Sequence, residues 1–324
     1  MLQQTRAQTV VPYWERFLRE LPTVQALAET SEAHVLSLWS GLGYYRRARM
    51  LQAAARRVVS EYGGRLPGEV EALRRLEGVG AYTAGAVASI AFGRRAAAVD
   101  GNVARVLARL AAVREDVSKG AGQARIRRMA EELVPQEGEG DPGRWNEALM
   151  ELGATVCTPR RPSCNACPVA QSCRARELGI APELPRTGQK KSPRAIARAA
   201  LVLRSRGQVL LARRKGGGLF GGLWEAPSAD GDGAALMARL GIQATSLEPC
   251  GEVVHVLSHR RLVVAVSRAT VRQRTWPVPG AEYDGVEWVQ TTDAGSPVDG
   301  RPHATLTKKV LIVASRPSPQ GDRH

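Results

Sequence analysis

Leu76-Glu77-Gly78-Val79-Gly80-Ala81-Tyr82-Thr83-Ala84, with Val99-Asp100-Gly101-Asn102-Val103 downstream of it, is the stretch that decides the fold of this chain. The two glycines past Leu73-Arg74-Arg75 break one helix and permit a tight, positive-φ turn into the next. Such a helix–hairpin–helix aims bare backbone N–H groups and a helix N-terminus at one phosphate of a DNA strand. A lone G-x-G turn between helices is more often a plain loop. The aspartate that follows, and the cysteines after it, sharpen the reading.

Those cysteines are Cys157, Cys164, Cys167 and Cys173, at the spacing C-x6-C-x2-C-x5-C, while Cys250 stands far downstream. A loop closed over so few residues costs little entropy, so four thiolates here suit one small metal centre. Zinc ribbons usually show two C-x2-C knuckles, whereas only one close pair is present. Four thiolates are also the usual shell of a 4Fe–4S cluster, although the spacing is not the ferredoxin run. Iron–sulfur is the favoured reading, with zinc and disulfides as the alternatives.

Bulk properties agree with a nucleic-acid partner. At 324 residues the chain is long enough for two domains with separate cores. A net charge of +15 suggests a polyanion, though a generally basic proteome gives the same sign. Cysteines gathered in one loop fit a reducing cytosol. The start lacks a basic segment followed by an apolar one, and no stretch is apolar for the length of a membrane span. A soluble cytoplasmic, nucleoid-associated protein is expected.

Residues 5–175 read as helices. Val10, Trp14, Phe17 and Leu18 recur at helical offsets, as do Leu36 with Leu38 and Val58 with Val59. Pro67, Pro135, Pro142 and Pro159 mark boundaries. Residues 186–215 carry ten Lys or Arg and no acid, opening as a linker and becoming a strand at Ala199-Ala200-Leu201-Val202-Leu203. Beyond it Ser205-Arg206-Gly207 joins two strands as a hairpin, Leu262–Val271 makes another strand, and Ala234–Leu240 a helix. Gly221-Gly222-Leu223-Trp224-Glu225-Ala226-Pro227 resembles the entry to a Nudix fold. An active Nudix enzyme needs several glutamates on the next helix to hold metal. Ala234-Ala235-Leu236-Met237-Ala238-Arg239-Leu240 has none, so a reader and not a hydrolase is expected.

Met1-Leu2-Gln3-Gln4-Thr5, Gly41-Leu42-Gly43-Tyr44-Tyr45, the hairpin, Val99-Asp100-Gly101-Asn102-Val103 and the cysteine loop stand in one order. In that order the chain resembles the adenine DNA glycosylase (MutY) family of helix-hairpin-helix repair enzymes, related to endonuclease III. The resemblance runs over nearly the whole sequence. It implies a multidomain protein: an all-α helix-hairpin-helix glycosylase domain with a 4Fe–4S cluster loop at 1–180, a basic linker at 181–197, and an α+β Nudix-like domain at 198–315 that recognises 8-oxoguanine. It implies a monomer acting on double-stranded DNA with A:8-oxoguanine or A:G mispairs, and no membrane.

The implied reaction is hydrolysis of the glycosidic bond of a flipped-out adenosine through a sugar oxocarbenium. Asp100 matches the catalytic aspartate, and Asn102 and Tyr82 match positions that hydrogen-bond around it and the sugar. Read alone, Asp before Gly-Asn is more often a helix N-cap. Endonuclease III-type enzymes carry a lysine where this chain has Tyr82, and a phenol cannot form their Schiff base. Gln4, Thr5 and Tyr44, with Gly78 and Gly80 of the hairpin, match DNA-binding positions. Leu2 and Glu147 match the adenine pocket, and Glu147 otherwise reads as an exposed helix residue. Leu257-Ser258-His259 matches the loop that reads 8-oxoguanine, with leucine in place of phenylalanine. That replacement forfeits an aromatic face and leaves Ser258 and His259 as the reading groups.

One departure stands out. The family's catalytic glutamate lies two residues before the Met-Leu-Gln-Gln-Thr run, and this sequence begins at Met1 of that run. Glu15 and Glu20 lie on the following helix and do not take the role. The expectation is a start codon assigned too late, with a helix missing that would cover the apolar face around Val10, Trp14 and Phe17. The alternatives are an endonuclease III-like glycosylase/lyase and a truncated, non-catalytic lesion binder.

Overall fold

The computed structural model describes residues 1–3, 5–136, 138–188, 192–240, 247–257, 259–271, 282–292 and 300–316. Two compact units emerge: residues 1–52 together with 191–324, and residues 53–190. This partition and the division expected from sequence differ in where residues 1–52 fall.

The first unit opens with α1 (Ala7–Glu20), α2 (Val24–Glu29) and α3 (Glu32–Leu38), and α4 (Arg46–Tyr62) runs from it into the second. Thr23 and Ser31 cap α2 and α3 by accepting from Ala26 N and His34 N. Trp39 fills the centre, its ring edge-on to Phe17 at 6.2 Å. The apolar face expected on α1 is split. Val10 and Phe17 are buried, whereas Val11, Trp14 and Leu18 look outward and Trp14 is 53% exposed. An apolar residue recurring at helical spacing names a stripe, and here the stripe is wider than the core that receives it.

The second unit is helical: α5 (Val70–Arg74), α6 (Ala81–Phe92), α7 (Gly101–Leu110), α8 (Gly120–Leu133), α9 (Pro142–Glu151) and the short α10 (Arg174–Glu177). Asp141 caps α9, with Pro142 at its first position. One face of α7 enters a core of Val103, Leu107, Val113 and Ile126. A π-helical turn, Leu152–Val156, continues α9 into the cysteine loop.

The rest of the first unit is a seven-stranded sheet among the described residues: β1 (Arg194–Ser205), β2 (Gln208–Arg214), β3 (Trp224–Glu225), β4 (Ser228–Asp230), β5 (Glu248–Val256), β6 (Arg260–Thr270) and β7 (Tyr283–Val289). The order β3-β2-β1-β6-β5 has β4 beside β1 and β7 beside β2. Among the described strand pairs only β1 and β6 run parallel, in register from Arg194↔Arg260 to Arg204↔Thr270. Arg206 and Gly207, both at positive φ, close the β1–β2 hairpin foreseen in the sequence. Ala199 to Leu203 are buried in succession because both faces of β1 are covered. Leu236 and Leu240, from α11 (Gly233–Arg239) and its C-cap, pack on Leu201, Leu203 and Leu210. α12 (Thr305–Ser315) buries Leu306, Val310 and Leu311. Among the described residues no helix is long and apolar enough to cross a membrane.

Candidate functional site

Asp100 is the N-cap of α7, and its carboxylate is divided between two tasks. Oδ1 accepts from Val103 N at 2.7 Å, which is the cap, while Oδ2 accepts from Asn102 Nδ2 at 3.0 Å. The carboxylate thus stands at the positive end of the α7 dipole. The N-cap reading and the chemical reading therefore describe one side chain. Asn102 is fixed in turn, since its Oδ1 accepts from Arg105 Nη2 at 2.8 Å.

Arg105 ties this group to the cysteine loop. It donates to Gly153 O at 2.6 Å and Cys157 O at 2.7 Å. Burial pulls its guanidinium below the ordinary range; Cys157 and Asp100 oppose that pull and Arg109 adds to it. Arg109, one turn on, is only 1% exposed. Its donors go to the carbonyls of Leu184, Thr158, Pro159 and Cys157, and to Cys157 Sγ at 3.2 Å. Among the described residues no carboxylate pairs with Arg109.

The segment leading to Asp100 is pinned from another side by Asn146, which is fully buried. Its Oδ1 accepts from Ala98 N at 2.9 Å, and its Nδ2 donates to Ala96 O at 2.8 Å and Ser89 Oγ at 2.9 Å. Gly85 lets α6 lie against the same segment, because a Cβ there would stand 2.1 Å from Ala97 O. Sequence reading missed Asn146, Arg105 and Arg109. The available signal was the Arg-x-x-x-Arg spacing on the apolar face of α7.

A cleft of about 700 Å³ opens over Asp100, lined also by Tyr82, Arg74, Arg95, Gln123 and Arg127. Tyr82 shares the cleft, but its hydroxyl donates to Met150 Sδ at 3.4 Å and not to Asp100. Burial, then the Asp100 charge, raises its pKa, so the phenol keeps its proton. Glu147 is exposed on α9, one turn before Met150, and is not among the residues lining the cleft.

At the hairpin, Arg57 holds the turn by pairing with Glu77 at 2.8 Å and donating to Arg75 O. Gly78 takes positive φ as expected, at 77°. Gly80 does not: it is the extended N-cap of α6, at φ −87°. No side chain caps α6, and nothing lies within 4 Å of where a Gly80 Cβ would be. Glycine there supplies no left-handed turn, and the space a side chain would take is open.

Cys157, Cys164, Cys167 and Cys173 are all free and half-buried. Among the described residues no three His, Cys, Asp or Glu side chains converge as a metal-holding group. The donor chemistry nevertheless fits an anionic thiolate cluster. Two adjacent buried arginines, one of them contacting Cys157 Sγ, are expensive without negative charge nearby.

The remaining sequence candidates belong to the other unit. Leu2 is exposed, Thr5 folds back through its N–H onto Leu2 O, and Tyr44 stands 50% exposed at φ 51°. Gln4 and Ser258 lie outside the described residues. His259 is exposed in the turn between β5 and β6, where Leu257 N donates to Arg260 O at 2.7 Å and Arg194 N to His259 O at 3.3 Å. The Nudix-like element carries no carboxylate on α11. Glu225 is its remaining carboxylate at the strand entry, and Oε1 is occupied by Arg214 Nε, Ser228 Oγ and Tyr283 Oη at 2.8, 2.9 and 2.9 Å.

Residues 1–167 match the family described as HhH-GPD superfamily base excision DNA repair protein, and residues 198–311 match the NUDIX domain. Adenine DNA glycosylase of Homo sapiens is 39% identical over 344 residues, covering 87% of this chain and 62% of that protein. The Rattus norvegicus enzyme is 38% identical over 371 residues, covering 97% and 70%. That of Mycolicibacterium smegmatis is 41% identical over 180 residues, covering 56% and 59%. The chain thus spans less than two thirds of the human relative's length. On these matches it belongs to the HhH-GPD superfamily of base excision DNA repair proteins and, within it, to the adenine DNA glycosylase family.

Proposed function

We propose that this chain removes adenine mispaired with 8-oxoguanine or guanine from double-stranded DNA, without cutting the strand. The observation that carries the reading is the Asp100 carboxylate, fixed by Asn102 and Arg105 at the floor of a cleft. A flipped deoxyadenosine would place its sugar over this anion, which stabilises the oxocarbenium as the glycosidic bond lengthens. Water then completes the hydrolysis. Its hydroxyl goes to the sugar carbon and its proton to the released adenine.

Monofunctional chemistry is supported by Tyr82 and by the cleft itself, since none of the described residues lining it is a lysine. The bare N-terminus of α6 beside Gly78 and Gly80 suits one DNA phosphate, and the turn carrying His259 suits recognition of 8-oxoguanine. Cys157, Cys164, Cys167 and Cys173 would hold a 4Fe–4S cluster, whose negative charge would offset Arg105 and Arg109. When bound, such a group supplies a rigid anionic anchor for the loop.

The test is release of free adenine from a duplex bearing A opposite 8-oxoguanine, with an A:T duplex as control. Release that leaves the strand intact until alkali is added supports the reading. Borohydride trapping of a covalent adduct would favour a lyase, and preferential binding with no release a lesion binder. Anaerobically purified protein should carry about four irons per chain. Stoichiometric zinc without iron would overturn the cluster.

A further inference from the structure

Arg47 gathers contacts that its place in the sequence does not announce. Its Nη1 donates to Met1 O at 2.6 Å and to Gln3 O, and its Nη2 donates to Thr5 Oγ1 at 3.0 Å. The same guanidinium lies 5.1 Å from the Tyr44 ring centroid and 5.6 Å from that of Trp39. Trp39 is itself anchored to the turn through its Nε1 donating to Gly43 O at 2.9 Å. Burial holds the Arg47 guanidinium below its ordinary range. Among the described residues no ion pair offsets that cost, so the carbonyls, the hydroxyl and the ring faces must do so.

The turn it supports is strained. Gly41 and Gly43 take φ of 96° and 76°, and Tyr44, with a full side chain, takes 51°. A half-exposed aromatic held in the left-handed region persists only where its surroundings over-determine it. The opposite partner is a short turn in which Thr5 N donates to Leu2 O, with the Leu2 side chain exposed. Neither piece is rigid by its own secondary structure.

We propose that Arg47 is a positioning residue that clips Met1, Gln3 and Thr5 to the turn carrying Tyr44, so that these residues and the turn meet DNA as one preformed piece. This rests on the glycosylase reading for its consequence, but the clip is a property of the free protein. Only the planar fork of arginine reaches two carbonyls and a hydroxyl while stacking on two rings; a lysine ammonium satisfies one group at a time.

Two measurements on the full chain separate the clip from the function. The first is trypsin cleavage after the exposed Arg6 in the free protein, followed by mass spectrometry of the Met1–Arg6 peptide. Arg47→Ala and Arg47→Lys should both raise that rate about tenfold, and Thr5→Val about threefold, as charge-assisted hydrogen bonds are lost. An unchanged rate in Arg47→Lys overturns the clip. So does a rise shared by all tryptic sites in Arg47→Ala with Thr5→Val silent, which marks a general folding defect. The second is fluorescence of 2-aminopurine in place of the target adenine, which rises on extrusion. Arg47→Lys should lower the extruded fraction several-fold while plain-duplex affinity holds. Faster cleavage with full extrusion overturns the role in DNA engagement. If the parent protein itself extrudes nothing, the glycosylase reading fails while the cleavage result still decides the clip.

Discussion

Asp100 and Glu225 are both carboxylates tied to an arginine, and they are put to opposite uses. Arg214 lies directly on Glu225, Ser228 and Tyr283 fill the same oxygen, and the residue is only 6% exposed. Burial works against the Arg214 charge, yet Glu225, Tyr283 and Glu282 together lift its pKa. The pair is consumed in holding β2, β3 and β7 together. At Asp100 the arginine is kept one residue away, and the amide of Asn102 stands between them. The carboxylate is oriented without being neutralised, and it faces a cleft. A direct ion pair spends a charge on structure, whereas a relayed one leaves it available for a passing cation.

Substitution can break that contrast. The largest effect is expected from Asp100→Asn, which should slow adenine release by about 10³-fold or more because a neutral amide cannot stabilise the oxocarbenium. Stability should move little, as asparagine caps helices nearly as well as aspartate. Single-turnover release and urea unfolding check the two halves, and a stable variant with full activity would make Asp100 a cap alone. Glu225→Ala should do the reverse. It leaves the buried Arg214 charge with only the more distant Glu282 at 3.7 Å, at a cost of roughly 3 kcal/mol, read as a lower urea midpoint.

Arg105→Lys sharpens the relay. Lysine cannot serve Asn102, Gly153 and Cys157 together, so the release rate should fall about 10- to 100-fold with substrate affinity nearly unchanged. A loss confined to affinity would show that the relay does not reach the chemistry.

The smallest effect concerns His255. Burial, then the Lys309 charge, lowers its pKa from the ordinary 6.5. The unfolded chain therefore binds more protons just below that value, and stability should decline as pH falls from 6.5 toward the lowered folded pKa. His255→Gln should flatten the urea midpoint over that window; an unaltered slope would assign the titration elsewhere.

Much of this was legible because its causes are local. Gly78 breaks a helix, Asp100 begins one, Arg206-Gly207 turns a hairpin, and each acts within a few residues of itself. Gly80 was misread because the sequence shows that a side chain is missing but not whether conformation or clearance requires its absence. The face around Val10, Trp14 and Phe17 was expected to lie open, and it does so only at Trp14, because periodicity marks an apolar stripe without marking where the core stops. Arg105, Arg109 and Asn146 were hidden for another reason. Most of their partners are backbone carbonyls and N–H groups far along the chain, from Ala96 to Leu184, and backbone groups carry no sequence signal.

The glycine contacts around α6 and α7 carry a consequence for heat. Gly85 meets Ala97 O, and Gly153 lies where a Cβ would stand 2.7 Å from Asn102 Cβ, so backbone abuts its neighbour with almost no side chain between. Flexible side chains act as soft springs whose rotamers multiply on warming; abutting main chains do not. The seat of Asp100 should therefore keep its dimensions across the working temperature range and fail only with the helices themselves, giving a straight Arrhenius line for bond cleavage that ends abruptly at the melting transition.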